Sequence, residues 1–171
     1  IGFCLVGSEM CIRDRTITES PINKKRNMGM YRLQKFDDKT LGMHWHPHKG
    51  GATHYHESSS IGSSLPVSVV LGGDPALIFS SIAPLPENID EVLFSAFLKN
   101  RKINLVKSKF SKIMVPANAE FIIEGKVPLG KTKLEGPFGD HFGYYSMESQ
   151  FPFLEIESIT RKNNPIFPAT V

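Results

Sequence analysis

The alternation of apolar and polar residues along the chain predicts a fold made mostly of short β-strands. Residues 28–34 alternate loosely and indicate one strand, and residues 41–46 follow a turn as its hairpin partner. The apolar, β-branched run at 66–71 predicts a buried strand that ends at two glycines. Further strands are expected at residues 104–107, 113–115, 120–124 and 153–159.

Short helices interrupt these strands. Asp74 before Pro75 combines an N-cap residue with proline at the first helical position, and predicts a helix of about two turns. A second helix is expected to open at Asn88 or Asp90, and residues 52–58 could form a third. The second helix has apolar residues at helical spacing, namely Val92, Leu93, Ala96 and Phe97. This mixed order predicts an α+β fold with a predominantly β core.

Composition and charge exclude some classes of protein. The 171 residues suit one domain or part of a larger one, and 40% of them are hydrophobic and 22% charged, as in globular proteins. No apolar run reaches the roughly 18 residues that a membrane span needs. The formal charge of +3 is small and its basic residues are scattered, so it does not indicate a nucleic-acid partner.

The first fifteen residues have a separate explanation. Written back as codons, the run at residues 6–15 resembles a transposon-end adapter used in sequencing libraries. We therefore expect residues 1–15 to be translated adapter, with the protein proper starting near Thr16. A signal peptide is the alternative, but the apolar stretch is short and no basic residues precede it. Without this stretch Cys4 and Cys11 are lost, so we expect no disulfide framework.

Five of the six histidines lie between His44 and His56. Strand alternation would place His44, His46 and His48 on one face, unless Pro47 bends the chain. Neutral imidazole is a common ligand of transition metals, so the cluster suggests a metal or cofactor site. The alternative is an exposed polar face whose histidines bind nothing.

A glycine-rich stretch at residues 135–145 is the second candidate for chemistry. Its glycines and proline argue against a regular helix, and such loops often lie against ligands. Glu135 and Asp140 bracket its first half, and in one pocket they could act as an acid and a base. The alternative is a turn with solvated acids. Taken alone, Glu91 is an ordinary acid of a helix first turn.

Taken together, these segments resemble the UbiD family of prenylated-flavin decarboxylases. The matching strings occur in the family's order and anchor a similarity over nearly all of residues 16–171. They are RNMGMYRLQ, MHWHPHKGG, PVSVVLGGDPA, VPANAEFIIEG and EGPFGDHFGYY.

The resemblance implies a split β-barrel domain that holds prenylated FMN. It also implies a divalent metal, usually Mn²⁺, that bridges protein and flavin phosphate, with a K⁺ ion nearby. The metal ligands carry over onto Asn27, His48 and Glu91, an oxygen–nitrogen–oxygen set that suits such a metal. The implied flavin contacts are Met30, Tyr31, Arg32, His44, Trp45, His46, Lys49 and Gly50.

The family's catalytic network of acid, arginine and acid falls on Glu135, Arg32 and Asp140, with Asp140 as the expected proton donor. Three residues depart from the family's pattern. Pro47 stands before the metal histidine, where the family does not require proline. His44 and His46 stand where other members carry different residues.

The function implied is decarboxylation of an aromatic or conjugated acid, in a cytoplasmic enzyme that lies at the membrane surface if the substrate is prenylated. The substrate could be a polyprenyl 4-hydroxybenzoate of ubiquinone synthesis, a menaquinone precursor or a simple aromatic acid. The expected partners are a flavin prenyltransferase and further copies of the chain. Family members are longer at both ends, so this stretch alone is expected to be inactive.

Two other classes of protein stay open. A cupin-like metal protein is suggested by the spacing of His44 and His46, although glycines occupy the place of the cupin glutamate and His141 is one residue out of register. A fragment that binds flavin without catalysis is the second alternative.

Overall fold

The computed structural model describes residues 10–86, 89–138 and 144–167, with side chains from residue 15 onward. Strands dominate this part of the chain, which confirms the predicted α+β class with a mainly β core. The strands are β1 (Met10–Glu19), β2 (Arg26–Gln34), β3 (Thr40–Gly42), β4 (Leu65–Leu71), β5 (Leu105–Lys107), β6 (Met114–Pro116), β7 (Phe121–Val127), β8 (Thr132–Glu135) and β9 (Ser149–Arg161). The helices are α1 (Gly50–Ser60), α2 (Pro75–Ser80) and α3 (Glu91–Lys99).

The strands form one curled antiparallel sheet and a small ribbon. Within the described residues, the sheet has seven strands in the order β2-β1-β4-β7-β9-β3, and β8 pairs with β9. The two ends of this path approach each other, because a bridge between Lys35 and Leu41 links the end of β2 to β3. The sheet therefore curls into a half-barrel, while β5 and β6 pair separately.

One core lies inside the curl and a second lies under the helices. The inner core gathers apolar side chains from β2, β4, β7 and β9 around the buried Trp45. The outer core packs Met28 and Val70 against Leu77 of α2 and Val92 of α3. Full burial of one such aliphatic side chain contributes about 1.5–3 kcal/mol. No helix in the described ranges is long and apolar enough to cross a membrane.

The helix starts agree with the sequence predictions. The Asp74 side chain accepts from the N–H of Ala76, and the Asp90 side chain accepts from Val92 and Leu93. Asp90, rather than Asn88, is therefore the N-cap of α3. The helical spacing of α3 translates into burial only in part, because Val92 is buried while Leu93 is 65% and Phe97 77% exposed.

One strand prediction needs correction, and β8 was not predicted. The expected strand at 41–46 is only three residues long, because the chain leaves the sheet after Gly42. The glycine-rich stretch begins inside a strand, because Glu135 is the last residue of β8. The pairing of β8 with β9 is a long-range contact that local patterns do not report.

A buried carboxylate on β7 holds the loop between β5 and β6. Glu124 accepts from the backbone N–H groups of Lys109, Phe110 and Ser111, at 3.0–3.1 Å, and from the Ser111 hydroxyl at 3.2 Å. Burial raises the pKa of Glu124, but the hydrogen bonds from Ser108, Ser111 and the backbone outweigh it, and the pKa lies below its ordinary value of 4.5.

Candidate functional site

A buried cluster of charged side chains forms where β8 ends beside β2. The side chain of Glu135 has none of its surface exposed. Nε of Arg32 donates to one carboxylate oxygen of Glu135 at 3.2 Å, and Nδ1 of His44 lies 3.2 Å from the other. Both oxygens of this buried carboxylate therefore have a partner, which a buried charge requires. The structure brings together Arg32 and Glu135, two residues of the expected catalytic network.

His44 connects this cluster to a second imidazole. Nη2 of Arg32 lies 2.9 Å from Nδ1 of His44, and Nε2 of His44 lies 3.1 Å from Nε2 of His46. The pKa of His46 is lowered, first by burial of the ring and then by the neighbouring His44, Lys49 and Arg32. An imidazole in this position favours its neutral form, which can accept as well as donate.

Two aromatic rings enclose the cluster. The guanidinium carbon of Arg32 stands 3.8 Å above the centre of the Phe138 ring, and the Phe151 ring lies 4.3 Å from that of His44. A cation over an aromatic face is attracted to it, so Phe138 helps to orient Arg32. Sequence patterns do not single out either phenylalanine. The position of Phe138 inside the glycine-rich stretch is the one available signal.

The expectation that three histidines share one face is wrong for His48. The backbone N–H of Lys49 bonds to the carbonyl of His46 at 3.0 Å, which closes a turn around Pro47 and His48. Proline fixes φ near the value that such a turn needs at its second position. The turn leaves His44 and His46 in contact and directs His48 to a different cleft.

That cleft has a volume of about 370 Å³ and contains all three expected metal ligands, Asn27, His48 and Glu91. The Asn27 amide nitrogen donates to the Tyr31 hydroxyl at 3.3 Å, so its carbonyl oxygen is the atom left for a ligand. A Cβ on Gly50 would lie 2.1 Å from that oxygen, so only a residue without a side chain at this position leaves room for the Asn27 oxygen.

Glu91 is held at the cleft by α3. Its Oε2 accepts from the N–H of Met28 at 3.2 Å, and the adjacent Asp90 pairs with Arg26 at 2.6 Å, which ties the helix to β2. Burial raises the pKa of Glu91, with the nearby Asp90 acting in the same direction. A partly buried carboxylate that is costly to ionise suits a place where a cation would offset the charge.

A further histidine borders the same cleft. His54 of α1 is buried, its Nδ1 lies 2.8 Å from the Thr18 hydroxyl, and burial lowers its pKa. Its place in the histidine-rich stretch is a signal, but no sequence pattern separates it from His56.

The other expected flavin contacts differ in exposure. Tyr31 and Trp45 are buried in the inner core, where their rings meet edge to face, and the Tyr31 hydroxyl also accepts from the N–H of Gly51 at 3.1 Å. Met30 is half-buried on β2, and Lys49 is exposed at the start of α1. Tyr31 therefore supports the cleft through Asn27 and α1.

The predicted proton donor, Asp140, lies outside the described residues. Among the residues described, no group of three or more His, Cys, Asp or Glu side chains is arranged to hold a metal. The expected ligand set contains only two residues of those types, because its third member is Asn27. Mn²⁺ can still bind such a set of ligands, which consists of an amide oxygen, an imidazole nitrogen and a carboxylate.

The chain matches a known family over most of its length. Residues 12–171 match the family described as UbiD, 3-octaprenyl-4-hydroxybenzoate carboxy-lyase Rift-related domain. The chain belongs to the UbiD family.

Individual relatives agree with this assignment. The chain is 46% identical over 154 residues to a 4-hydroxybenzoate decarboxylase subunit of Chlamydia pneumoniae, covering 90% of this chain and 26% of that protein. The chain superposes on the UbiD-class enzyme HmfF of Pelotomaculum thermopropionicum, solved with FMN, with a TM-score of 0.88 and 27% identity. The superposition covers 94% of this chain and 36% of the HmfF chain. An evolved dimeric form of HmfF was solved with prFMN.

The vanillic acid decarboxylase of Sedimentibacter hydroxybenzoicus gives the same TM-score of 0.88 at 27% identity, covering 94% of this chain and 35% of that enzyme. The chain thus spans about a quarter of its curated relatives and about a third of these solved chains.

Proposed function

We propose that this chain is the flavin-binding and catalytic part of an enzyme that removes carbon dioxide from aromatic or conjugated carboxylic acids, or adds it to them. The observation that carries the proposal is the buried Glu135 carboxylate shared by Arg32 and His44. Strand β2 connects this cluster to the metal cleft, because it contains both Arg32 and Asn27. Family membership supports the proposal, because relatives with this domain are named as decarboxylases.

Arg32 is the residue that would bind the substrate carboxylate. Its Nε is bound to Glu135 and its Nη2 faces His44, so the guanidinium is fixed at two points while its side chain stays 28% exposed. A planar guanidinium can present two parallel donors to a carboxylate. Phe138 beneath it holds the plane in place.

The difficult electronic step needs a cofactor. Loss of carbon dioxide from a conjugated acid leaves a carbanion that no side chain can delocalise, and prenylated FMN, when bound, supplies the electron sink. A split β-barrel that holds this flavin agrees with the curled sheet. The residues of the chain then orient the acid, exclude water and move a proton, with Asp140 as the donor to carbon and Glu135 holding Arg32.

Asn27, His48 and Glu91 would hold a divalent metal, for which we propose Mn²⁺, beside the flavin phosphate, with K⁺ nearby. The donor set fits such an ion: the Asn27 oxygen is turned away from its Tyr31 partner, and burial makes Glu91 costly to ionise without a cation. Gly50 lets the Asn27 oxygen hold its position at the cleft, because a Cβ there would lie 2.1 Å from that oxygen.

The proposed substrates are hydroxylated benzoic acids. Two relatives are named for 4-hydroxybenzoate and vanillic acid, which share a benzoate ring bearing a hydroxyl group. A polyprenyl 4-hydroxybenzoate of ubiquinone synthesis belongs to this class, and a menaquinone precursor is the alternative. The proposed setting is the cytoplasm, with a flavin prenyltransferase supplying the cofactor to a homo-oligomer.

The test is a complete protein containing this chain, co-expressed with a flavin prenyltransferase and Mn²⁺. We expect flavin absorbance in the purified protein and carbon dioxide release from hydroxybenzoates. Glu135→Gln should lower turnover about a hundredfold or more, while Glu157→Gln, at an exposed site, should match the parent. A purified protein that contains metal but no flavin would favour the cupin-like alternative. A protein that contains flavin but shows no turnover would favour the alternative that binds flavin without catalysis. The 171-residue chain alone should release no carbon dioxide.

A further inference from the structure

Nδ1 of His44 lies between a hydrogen-bond donor and a carboxylate. Nδ1 of His44 lies 2.9 Å from Nη2 of Arg32, which can only donate, and 3.2 Å from Oε2 of Glu135. If Nδ1 carries a lone pair, that lone pair accepts either from Arg32 or from Glu135 as the protonated acid, but not from both. If Nδ1 carries a proton, it donates to the Glu135 carboxylate. The protonation of His44 and that of Glu135 are therefore linked.

The neighbouring groups limit which protonation states His44 can adopt. Nε2 of His44 lies 3.1 Å from Nε2 of His46, so one of these two nitrogens must carry a proton for the contact to be a hydrogen bond. The groups that face His44 are Arg32 on β2, Glu135 on β8 and His46 on its own loop, while Phe151 on β9 covers the ring without charge. The imidazole is half-buried, with 17% of its side chain exposed.

We propose that His44 is a positioning residue that holds Glu135 against Arg32 and exchanges a proton with it. The proton moves from Oε2 of Glu135 to Nδ1 of His44, so an O–H bond breaks and an N–H bond forms. The products are the carboxylate, which can accept from both Arg32 and His44, and an imidazolium, whose Nδ1 no longer accepts from Nη2 of Arg32. This inference rests on the proposed function, because it assigns His44 a part in the protonation cycle of that enzyme.

Substitutions in the complete, flavin-loaded protein separate the two parts of the proposal. His44→Leu removes the contact and should lower kcat about tenfold to a hundredfold, the cost of a lost hydrogen bond to a charged group. His44→Asn can still bond to Glu135 but cannot take a proton. It should recover most of kcat at the optimum while one limb of the kcat–pH profile moves. Because His44 is among the expected flavin contacts, kcat is normalised to the bound flavin of each variant. Metal content should stay at the parental level, and His56→Asn, at an exposed position, should match the parent throughout.

A measurement on the cofactor-free protein is independent of turnover. With ¹⁵N-labelled histidine, the His44 resonances, assigned from their loss in His44→Leu, should change tautomer or titration when Glu135 is replaced by Gln. An active parent whose His44→Leu variant keeps kcat and pH profile would overturn the proposal, as would His44 resonances insensitive to Glu135→Gln. If no aromatic acid is turned over, the proposed function fails, but the resonances still decide whether His44 and Glu135 share a proton.

Discussion

Replacing Glu124 with glutamine tests how much the buried carboxylate stabilises the fold. Oε1 of Glu124 accepts hydrogen bonds from the backbone N–H groups of Phe110 and Ser111 and from the Ser111 hydroxyl. The carbonyl oxygen of a glutamine can accept the same three hydrogen bonds. Oε2 accepts from Lys109, and there glutamine would place an N–H group opposite another N–H group. Hydrogen bonds to charged groups contribute about 1.5–3 kcal/mol each, and an unsatisfied buried donor costs about as much.

We therefore expect Glu124→Gln to lower the free energy of unfolding by about 3 kcal/mol at pH 7. For a chain of this size that corresponds to a fall in Tm of roughly 6–12 °C. Urea and thermal unfolding, followed by circular dichroism, measure both quantities. Glu157→Gln is the control, because its exposed pair with Lys126 should contribute at most about 1 kcal/mol.

The same substitution has a defined pH dependence. The folded-state pKa of Glu124 is lowered, so the stability from its charge is fully present above the unfolded value near 4.5 and is lost as the pH falls through the folded value. Glutamine does not titrate. The difference in free energy of unfolding between parent and variant should therefore be constant from pH 7 to about pH 5 and should become smaller below about pH 5. A difference in free energy of unfolding below about 1 kcal/mol at pH 7, or a difference that increases as the pH falls, would refute this account of Glu124.

Three further substitutions test the two sites. Gly50→Ala should displace the Asn27 oxygen, 2.1 Å from the new Cβ, and weaken Mn²⁺ binding in titration calorimetry while Tm changes little; unaltered affinity would contradict the role of Asn27. His48→Ala should reduce manganese and flavin content together, measured by elemental analysis and absorbance, and parental manganese would remove His48 from the ligand set. Asp140→Asn should keep flavin and metal but lower turnover about a hundredfold to ten-thousandfold, and near-parental turnover would leave Glu135 as the candidate acid.

The parts of the fold that sequence patterns predicted are those fixed by local chemistry. Asp74 and Asp90 cap their helices because short carboxylates satisfy free N–H groups at a helix start. The strand at β4 follows from its run of β-branched residues, which are buried from both sides. The exposure of Leu93 and Phe97 was not predictable from spacing, because it depends on what packs against α3.

The candidate site could be predicted only in part from the residues. Histidine clustering and the glycine-rich stretch pointed to the segments that contain His44 and Glu135, which the structure brings into contact. Arg32 and Glu135, however, are 103 positions apart, and their pairing came from family resemblance. The alternation argument failed at His48 because a turn at Pro47 separates it from His44. The contacts of His44 depend on β8 and β9 lying together, which no local pattern reports.

Strand β2 contains both Asn27 of the metal cleft and Arg32 of the carboxylate cluster. The two residues are five positions apart, which in extended backbone is about 17 Å. One strand thus sets the distance between the proposed cation site and the proposed site for a substrate carboxylate, without any loop in between. Because side chains alternate along a strand, residues five positions apart point to opposite faces of β2, and inserting one residue between them would place both on the same face.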